Sequence, residues 1–234
     1  QDPSISMIWN KQPGGAYLLN DKYAGYILDK NTYTTDGQLF LANKKEPIVG
    51  IDPNRNFDYS TGWINSLRKI YFNGTSKSIY LEIKAKFPSG PKVWPAIWLI
   101  AERRSWPPEI DVWEYFGTFF NADWGTDQMY MRYIYGHWSE TKNHSVPLDN
   151  FQNNYDASNS WHIYGFEWTA STMTWSIDGE QVHQKTKGVD IPAIDWPNED
   201  MALVINNGLM SAADEGYTTF PNYLVLDYIA LYQQ

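Results

Sequence analysis

Apolar and polar side chains alternate along several short segments of this chain. In residues 79–87 the odd positions carry isoleucine, leucine, alanine and phenylalanine, whereas the even positions carry tyrosine, glutamate and lysine. A period of two is typical of a strand with one buried face. Similar apolar runs recur between turn residues, and Asp178-Gly179 separates two of them with a dipeptide that tight hairpin turns favour. No segment has a long apolar pattern with helical period, so the chain is predicted to be built of strands.

The strand pattern continues along all 234 residues and predicts an all-β fold in a single domain, residues 1–234. Many short strands separated by turns are typical of two packed antiparallel sheets. The sequence contains no internal repeat, low-complexity tract or linker. Surface loops, which often carry binding residues, are predicted for three longer irregular stretches, residues 42–60, 136–160 and 186–200.

Composition excludes several kinds of partner. Lys and Arg total 18 against 27 Asp and Glu, and the net charge of −9 opposes binding to nucleic-acid phosphates. Disulfides and thiolate metal sites are excluded because the chain has no cysteine. No apolar run approaches the length of about 18 residues that a membrane-spanning helix needs. We therefore expect no nucleic-acid partner and no membrane span, and we expect a monomer.

Aromatic residues are abundant: 12 Trp, 17 Tyr and 10 Phe make up 17% of the chain. Such residues build hydrophobic cores, but in a small acidic protein they also suit platforms on which sugar rings stack. Composition leaves both interpretations open.

Three carboxylates interrupt an apolar, β-prone run. Glu109 and Asp111 share one face of a regular strand, whereas Glu114 points to the opposite face. One extra residue, a bulge at Val112 or Trp113, would bring Glu114 round to the same face, and bulges are frequent beside active sites. Acids gathered on one face repel one another, so at least one carboxyl should have a raised pKa.

Two interpretations of this acidic cluster compete. Retaining glycoside hydrolysis needs a carboxylate nucleophile and a carboxylic acid about 5–5.5 Å apart. The alternative is an exposed acidic edge on a strand whose other face is core. The flanking residues Trp106, Pro107, Pro108 and Trp113 favour a site.

Further motifs lie in a fixed order around the ExDxxE pattern of residues 109–114. At these motifs the chain resembles glycoside hydrolase family 16, the family of laminarinases, agarases, porphyranases and carrageenases. The matching segments are TGWINS at 61–66, FPSGPKVWPAIWL at 87–99, WHIYGFEWT at 161–169, WSIDG at 175–179 and LDYIALY at 226–232.

The resemblance implies a jelly-roll β-sandwich with a concave substrate cleft, and an endo-acting, retaining hydrolase of β-linked polysaccharide. In that family pattern Glu109 would be the nucleophile and Glu114 the general acid and base. Asp111 would hydrogen-bond the nucleophile and maintain the charge balance. No cofactor is required for this chemistry. A secreted, cell-surface or periplasmic location is expected, with any signal peptide already absent from this sequence.

Candidate substrate contacts follow from the same resemblance. Trp94 and Trp98 alternate with Pro and Ala on a strand where relatives carry a sugar-stacking tryptophan, although either ring could instead face the core. His137 lies in a segment where relatives hold sugar-contacting groups, although a lone histidine is often structural. The full set of expected substrate-binding residues is Trp63, Trp94, Trp98, Arg103, Trp106, Trp113, His137 and Asn206.

Two local features bear on the substrate. Pro108 directly precedes Glu109, as in agarases, porphyranases and carrageenases, whereas laminarinases usually have a small residue there. Arg103 could form a bidentate contact with a sulfate ester. The main expectation is therefore a red-algal galactan of agar or porphyran type. The alternative is an endo-β-1,3(4)-glucanase of laminarinase type, which gains if Arg103 points to solvent. A non-catalytic carbohydrate-binding protein is a third hypothesis.

Many relatives hold a structural calcium ion with an aspartate of the closing strand as a ligand. Asp227 matches that position, and calcium prefers several oxygen ligands of this kind. A calcium site at Asp227 is therefore an expectation, although one carboxylate does not make a site.

Overall fold

The computed structural model describes residues 9–11, 23–117, 128–135, 142–147, 157–158, 160–210 and 218–234. Within these ranges helical structure is limited to two short 3-10 turns, Asp29–Asn31 and Ala193–Asp195. No helix in the described ranges is long and apolar enough to cross a membrane.

Strands account for most of the described residues. In chain order they are β1 (Asn10–Lys11), β2 (Gly25–Ile27), β3 (Thr32–Thr35), β4 (Gln38–Val49), β5 (Asn56–Thr61), β6 (Trp63–Asn65), β7 (Ile79–Lys86), β8 (Val93–Ala101), β9 (Glu109–Phe116), β10 (Gln128–Ile134), β11 (Lys142–Pro147), β12 (His162–Trp168), β13 (Thr172–Ile177), β14 (Glu180–Thr186), β15 (Met201–Leu209) and β16 (Asn222–Gln233).

The strands form two sheets. A seven-stranded sheet has the order β1-β6-β15-β8-β9-β10-β11, and a nine-stranded sheet has the order β14-β13-β12-β7-β16-β4-β5-β2, with β3 paired to β4. Apart from the parallel pair β2–β5, the named strands of the described chain pair antiparallel. The predicted all-β sandwich is therefore confirmed.

A hydrophobic core fills the space between the two sheets. In β7 the predicted alternation is present, with the odd positions buried and the even ones half-exposed. The rings of Trp113 on β9 and Tyr164 on β12 meet edge-to-face with centroids 5.3 Å apart, which joins the sheets directly. Trp168 and Trp175 are also fully buried. Much of the aromatic content therefore serves the core, where large rings bury the most apolar area.

A second apolar cluster covers part of the outer face of the seven-stranded sheet. Along β8, Val93, Ile97 and Leu99 belong to the main core. The alternate side chains point outward and pack with residues from neighbouring strands. The outer cluster consists of Ile27, Trp63, Leu67, Ala96, Trp98, Ile100, Ala202 and Val204. The cluster buries the part of the outer face formed by β6, β15 and β8.

Two of the three loop predictions differ from the structure. The stretch 42–60 is wrong as a loop, since β4 continues to Val49 and β5 begins at Asn56. The polar residues of this stretch suggested a loop, but they belong to the side of β4 that faces solvent. The stretch 136–160 contains β11 and otherwise lies mostly outside the described residues. The stretch 186–200 is irregular except for a bridge between Lys187 and Ile191 and one 3-10 turn.

Candidate active site

A β-bulge shapes the strand that carries the three acids. Opposite β8, the single step from Ile97 to Trp98 corresponds to two steps on β9, from Trp113 to Asp111. Val112 is the extra residue. The pairing of β9 with β10 shifts at the same place. An extra residue inverts the side-chain alternation beyond it, so the predicted bulge is present.

The bulge brings three carboxylates to the outer face of the seven-stranded sheet. Glu109, Asp111 and Glu114 retain only 7%, 3% and 3% of their accessible surface, and the charges of Asp111 and Glu114 act on Glu109. The same inversion turns Trp113 into the main core, where it is fully buried. The expectation that Trp113 contacts substrate is therefore wrong, because its ring lies on the opposite face of β9.

Burial and mutual repulsion perturb the two glutamates. Burial first, and then the charge of Asp111, raise the pKa of Glu109 well above its ordinary value, while Arg132 acts in the opposite direction. The same two causes raise the pKa of Glu114 to about 7, against the lowering effects of Arg132 and of a hydrogen bond from Trp94. The expected raised carboxyl pKa thus occurs at both glutamates, which makes the cluster able to hold protons near neutral pH.

Arg132 on β10 joins the cluster and was not among the expected site residues. Its Nε donates to Oδ2 of Asp111 at 2.5 Å, and its Nη2 lies 3.3 Å from Oε2 of Glu114. The second contact is ionic rather than an aligned hydrogen bond. Arg132 is the one charged residue of β10, which is a signal in the sequence. What the sequence lacked was the register that sets Arg132 opposite Asp111.

Trp94 on β8 lies against the acids. Its indole Nε1 donates a 2.8 Å hydrogen bond to Oε1 of Glu114. The indole ring lies between Tyr23, at a centroid distance of 5.1 Å, and Phe116, at 5.8 Å. Trp94 is half-buried. The structure therefore brings Trp94 to the site, and a sugar contact for it stays a prediction.

Asn206 on β15 hydrogen-bonds two aromatic side chains close to the acids. Its Oδ1 accepts a hydrogen bond from Trp98 Nε1 at 2.8 Å, and its Nδ2 donates to the Tyr23 hydroxyl at 3.1 Å. Burial and then the charge of Glu114 raise the pKa of Tyr23, so this phenol stays protonated. Asn206 is 2% exposed, and its amide is engaged by protein partners. Asn206 therefore positions Tyr23, and its expected sugar contact stays a prediction.

Two expected tryptophans belong to the outer apolar cluster. Trp63 and Trp98 meet edge-to-face with centroids 5.8 Å apart, and they are 3% and 4% exposed. Ile27 and Leu67 pack in the same cluster. Neighbouring apolar side chains cover both rings, and the expected sugar contacts of Trp63 and Trp98 stay predictions.

The loop that leads into β9 holds Arg103 and Trp106. Arg103 Nε lies 2.8 Å from Oε2 of Glu199, and the arginine side chain is 69% exposed. Its charge is therefore already paired, and the structure does not join Arg103 to the three acids. Trp106 is 50% exposed and stays a candidate contact at the entrance to β9. The expected contact at His137 lies outside the described residues.

The Asp227 carboxylate is paired with a lysine, and a calcium ion at this position stays a prediction. Its Oδ2 lies 2.7 Å from Nζ of Lys84, and this ion pair occupies the carboxylate. Within the described ranges, no group of three or more Asp, Glu, His or Cys side chains could hold a metal ion. Calcium takes six to eight oxygen ligands, and an ammonium group competes with it directly.

A two-sheet β-sandwich with an ExDxxE set of carboxylates gathered by a bulge has the architecture of a jelly-roll glycoside hydrolase. The model of glycosyl hydrolases family 16 matches residues 20–223. The chain belongs to this family.

Two of the curated relatives of the chain are described as enzymes that act on glucans. "Glucan endo-1,3-beta-glucosidase A1" of Niallia circulans is 26% identical over 275 residues, covering 100% of this chain and 39% of that protein. "Beta-glucanase" of Rhodothermus marinus is 28% identical over 248 residues, covering 96% of this chain and 79% of that protein. The chain thus spans about two-fifths of the first relative and most of the second. The comparisons do not support the agar or porphyran specificity expected above.

Solved structures share the fold. The laminarinase catalytic domain of Thermotoga maritima superposes with a TM-score of 0.78 at 24% identity, covering 100% of this chain and 93% of that one. The endo-beta-1,3-glucanase of Pyrococcus furiosus gives a TM-score of 0.77 at 23% identity, covering 97% and 88%. The predicted jelly-roll sandwich is therefore confirmed.

Proposed function

We propose that the protein is an endo-acting, retaining glycoside hydrolase whose substrate is a neutral β-glucan with 1,3 links or mixed 1,3 and 1,4 links. The observation that carries the proposal is the bulge in β9, which gathers Glu109, Asp111 and Glu114 on one face. Retaining hydrolysis requires one carboxylate nucleophile and one carboxylic acid close together. The glucanase descriptions of the relatives support the choice of glucan.

Each carboxyl has a distinct task in this mechanism. Glu109 attacks the anomeric carbon while Glu114 donates its proton to the departing glycosidic oxygen, which leaves a covalent glycosyl-enzyme and a free sugar hydroxyl. Glu114 then removes a proton from water, and the oxygen of that water displaces Glu109 from the anomeric carbon. The enzyme returns to its starting protonation state with the anomeric configuration retained.

The protonation of the cluster suits these tasks. A pKa of about 7 lets Glu114 hold a proton in weakly acidic solution and release it when the leaving group needs it. Burial and the charge of Asp111 raise the pKa of Glu109 well above its ordinary value, so Glu109 holds a proton more readily than an isolated glutamate does.

Charge supports a neutral polysaccharide. The net charge of the chain, −9, opposes the binding of a densely sulfated polysaccharide. Arg103, the residue expected to hold a sulfate, is paired with Glu199. Both features favour glucan over a sulfated galactan.

A reducing-end assay tests the proposal on laminarin, mixed-linkage β-glucan, agarose, porphyran and κ-carrageenan. Glu109→Gln is the inactive variant. Glu167→Gln is the matched control, because Glu167 is an exposed glutamate of β12 on the other sheet. We expect release from laminarin or mixed-linkage glucan, an early fall in viscosity, and first-formed products with the β configuration by proton NMR.

Other outcomes would contradict parts of the proposal. Release from agarose or porphyran alone would overturn the glucan assignment and leave the carboxylate roles intact. Inverted products would exclude Glu109 as nucleophile. Oligosaccharide binding without release from any substrate would favour the non-catalytic carbohydrate-binding alternative.

A further inference from the structure

Arg132 is a fourth charged member of the cluster formed by Glu109, Asp111 and Glu114. We infer that Arg132 is a positioning residue that holds Asp111 and Glu114 in place and sets the pH range in which the cluster is active. This inference rests on the proposed hydrolase function for its kinetic consequence. Its electrostatic content can be measured without any substrate.

The contacts place the guanidinium between two carboxylates. Nε bonds Oδ2 of Asp111, and Nη2 lies 3.3 Å from Oε2 of Glu114. The other oxygen of Glu114, Oε1, accepts from Trp94. Glu114 is therefore held from β10 on one side and from β8 on the other, with one oxygen directed to each. A planar fork that spans two acceptors fixes orientation better than a single point charge does.

The bulge explains why such a group is needed here. Across β9 and β10, Tyr130 pairs with Glu114 and Arg132 pairs with Asp111, although three positions separate the two acids and only two separate their partners. Arg132 therefore reaches both acids across the irregularity in the ladder. Among ion pairs of the described residues, those to the three carboxylates come from Arg132. The arginine side chain is 24% exposed, so screening by solvent is limited.

The groups that face Glu114 come from several elements. Asp111 and Glu109 lie on its own strand, and Arg132 and Tyr130 come from β10. The Tyr23 phenol precedes β2, and Trp94 on β8 is polar but does not titrate. Burial acts to lower the pKa of Arg132, yet the charges of Asp111 and Glu114 outweigh it and raise that pKa. The guanidinium consequently stays charged throughout the working range, and it is the cation that favours the ionised acids.

Removing the charge of Arg132 should shift the pKa values of the neighbouring carboxyls in one direction, upward. A nearby positive charge favours the ionised carboxylate, typically by 1–3 pKa units when it lies within about 4–6 Å. Without Arg132 the pKa values of Glu109 and Glu114 rise further. The acid limb of the pH profile, which reports an ionised nucleophile, and the basic limb, which reports a protonated acid, should therefore both move to higher pH.

The kinetic test compares the wild-type chain with Arg132→Met and Arg132→Lys. Methionine keeps an unbranched side chain without charge, and lysine keeps the charge without the fork. The matched control is Lys84→Met, which removes a cation paired with an aspartate on the other sheet. For Arg132→Met we expect both limbs of kcat/KM to move up by about one pH unit or more. For Arg132→Lys we expect limbs close to wild type with kcat lowered about tenfold, and for Lys84→Met no change.

A second measurement needs no activity. The indole N–H of Trp94 donates to Glu114, so its nitrogen–proton NMR signal, assigned with Trp94→Phe, should titrate with that carboxyl. In folded Arg132→Met the midpoint of this titration should rise by about one unit. If the wild-type chain hydrolyses nothing, the proposed function fails while this titration still tests Arg132.

The result that overturns the inference is equally specific. The inference fails if Arg132→Met is folded, as judged by circular dichroism, and both its NMR midpoint and the limbs of its pH profile lie within about 0.2 pH unit of wild type. If Arg132→Met does not fold, Arg132→Lys decides the matter. If Arg132→Lys has the kcat and the NMR midpoint of wild type, the planar guanidinium is not needed to position the acids. If its NMR midpoint rises by about one unit although lysine keeps the positive charge, the charge at this position does not set the pH range.

Discussion

The indole nitrogen of Trp94 donates a 2.8 Å hydrogen bond to the Glu114 carboxylate, across the bulged pair of strands β8 and β9. This bond directs one oxygen of Glu114 towards β8 and favours the ionised form of that carboxyl. A side chain expected to serve as a sugar platform therefore also tunes the acid. The two roles can be separated by a substitution that keeps an aromatic ring but removes the N–H donor.

Trp94→Phe tests the tuning role. The phenyl ring retains a stacking surface but loses the N–H donor, and a hydrogen bond to a charged acceptor contributes about 1.5–3 kcal/mol. We expect the basic limb of kcat/KM to move to higher pH and kcat to fall about tenfold. Identical pH limbs in wild type and variant would show that the bond does not affect catalysis.

Glu109→Ala tests the nucleophile. Loss of a nucleophile typically lowers kcat by several orders of magnitude. A small anion such as azide can occupy the vacated space and attack the anomeric carbon from the same side. We expect activity on an activated aryl glycoside to reappear in azide and to give an α-glycosyl azide. A β-glycosyl azide would assign the missing group to the acid and base role instead.

Glu114→Ala tests the proton donor. General acid catalysis contributes about 10²–10⁴-fold, but a leaving group that is already a weak base does not need it. We expect polysaccharide hydrolysis to fall by that factor, while the first turnover of a dinitrophenyl glycoside is largely spared. Equal losses on both substrates would argue against an acid role for Glu114.

Stability should depend on pH through Glu114. Its pKa is about 7 in the folded protein against a reference of 4.5, so the folded state binds the proton more tightly than the unfolded state. The destabilising effect is absent below pH 4.5 and grows to about 3 kcal/mol as pH rises through 7. In urea denaturation, wild type should therefore lose more stability between pH 4.5 and 8 than Glu114→Gln does. Parallel losses in the two proteins would contradict the raised pKa.

Trp113→Phe tests whether Trp113 contributes to the stability of the core or to substrate binding. Trp113 is fully buried and meets Tyr164 across the sandwich, so a smaller ring should lower the free energy of unfolding by about 1–3 kcal/mol. We expect KM for the polysaccharide to stay unchanged at temperatures where the variant is folded. A large rise in KM without loss of stability would return Trp113 to the substrate surface.

The bulge accounts for both a success and an error of sequence reasoning. Three acids in the ExDxxE spacing suggested an extra residue that brings Glu114 onto the face of Glu109, and Val112 is that residue. The same step turns Trp113 inward, yet Trp113 was expected at the substrate. A bulge changes the direction of every side chain beyond it. Once Glu114 is placed on the face of Glu109, its neighbour Trp113 must point to the opposite face.

The sequence by itself determined the all-β architecture, the alternating strands such as β7, the family, and the acids Glu109, Asp111 and Glu114. These features depend on local periodicity and on residues close together in the chain. Only the tertiary structure decided which tryptophans are open and which are covered, that Arg103 pairs with Glu199, and that Arg132 lies beside the acids. These depend on the register between strands and on packing across the sheet, because residues far apart in the chain meet there and no local pattern records which ones.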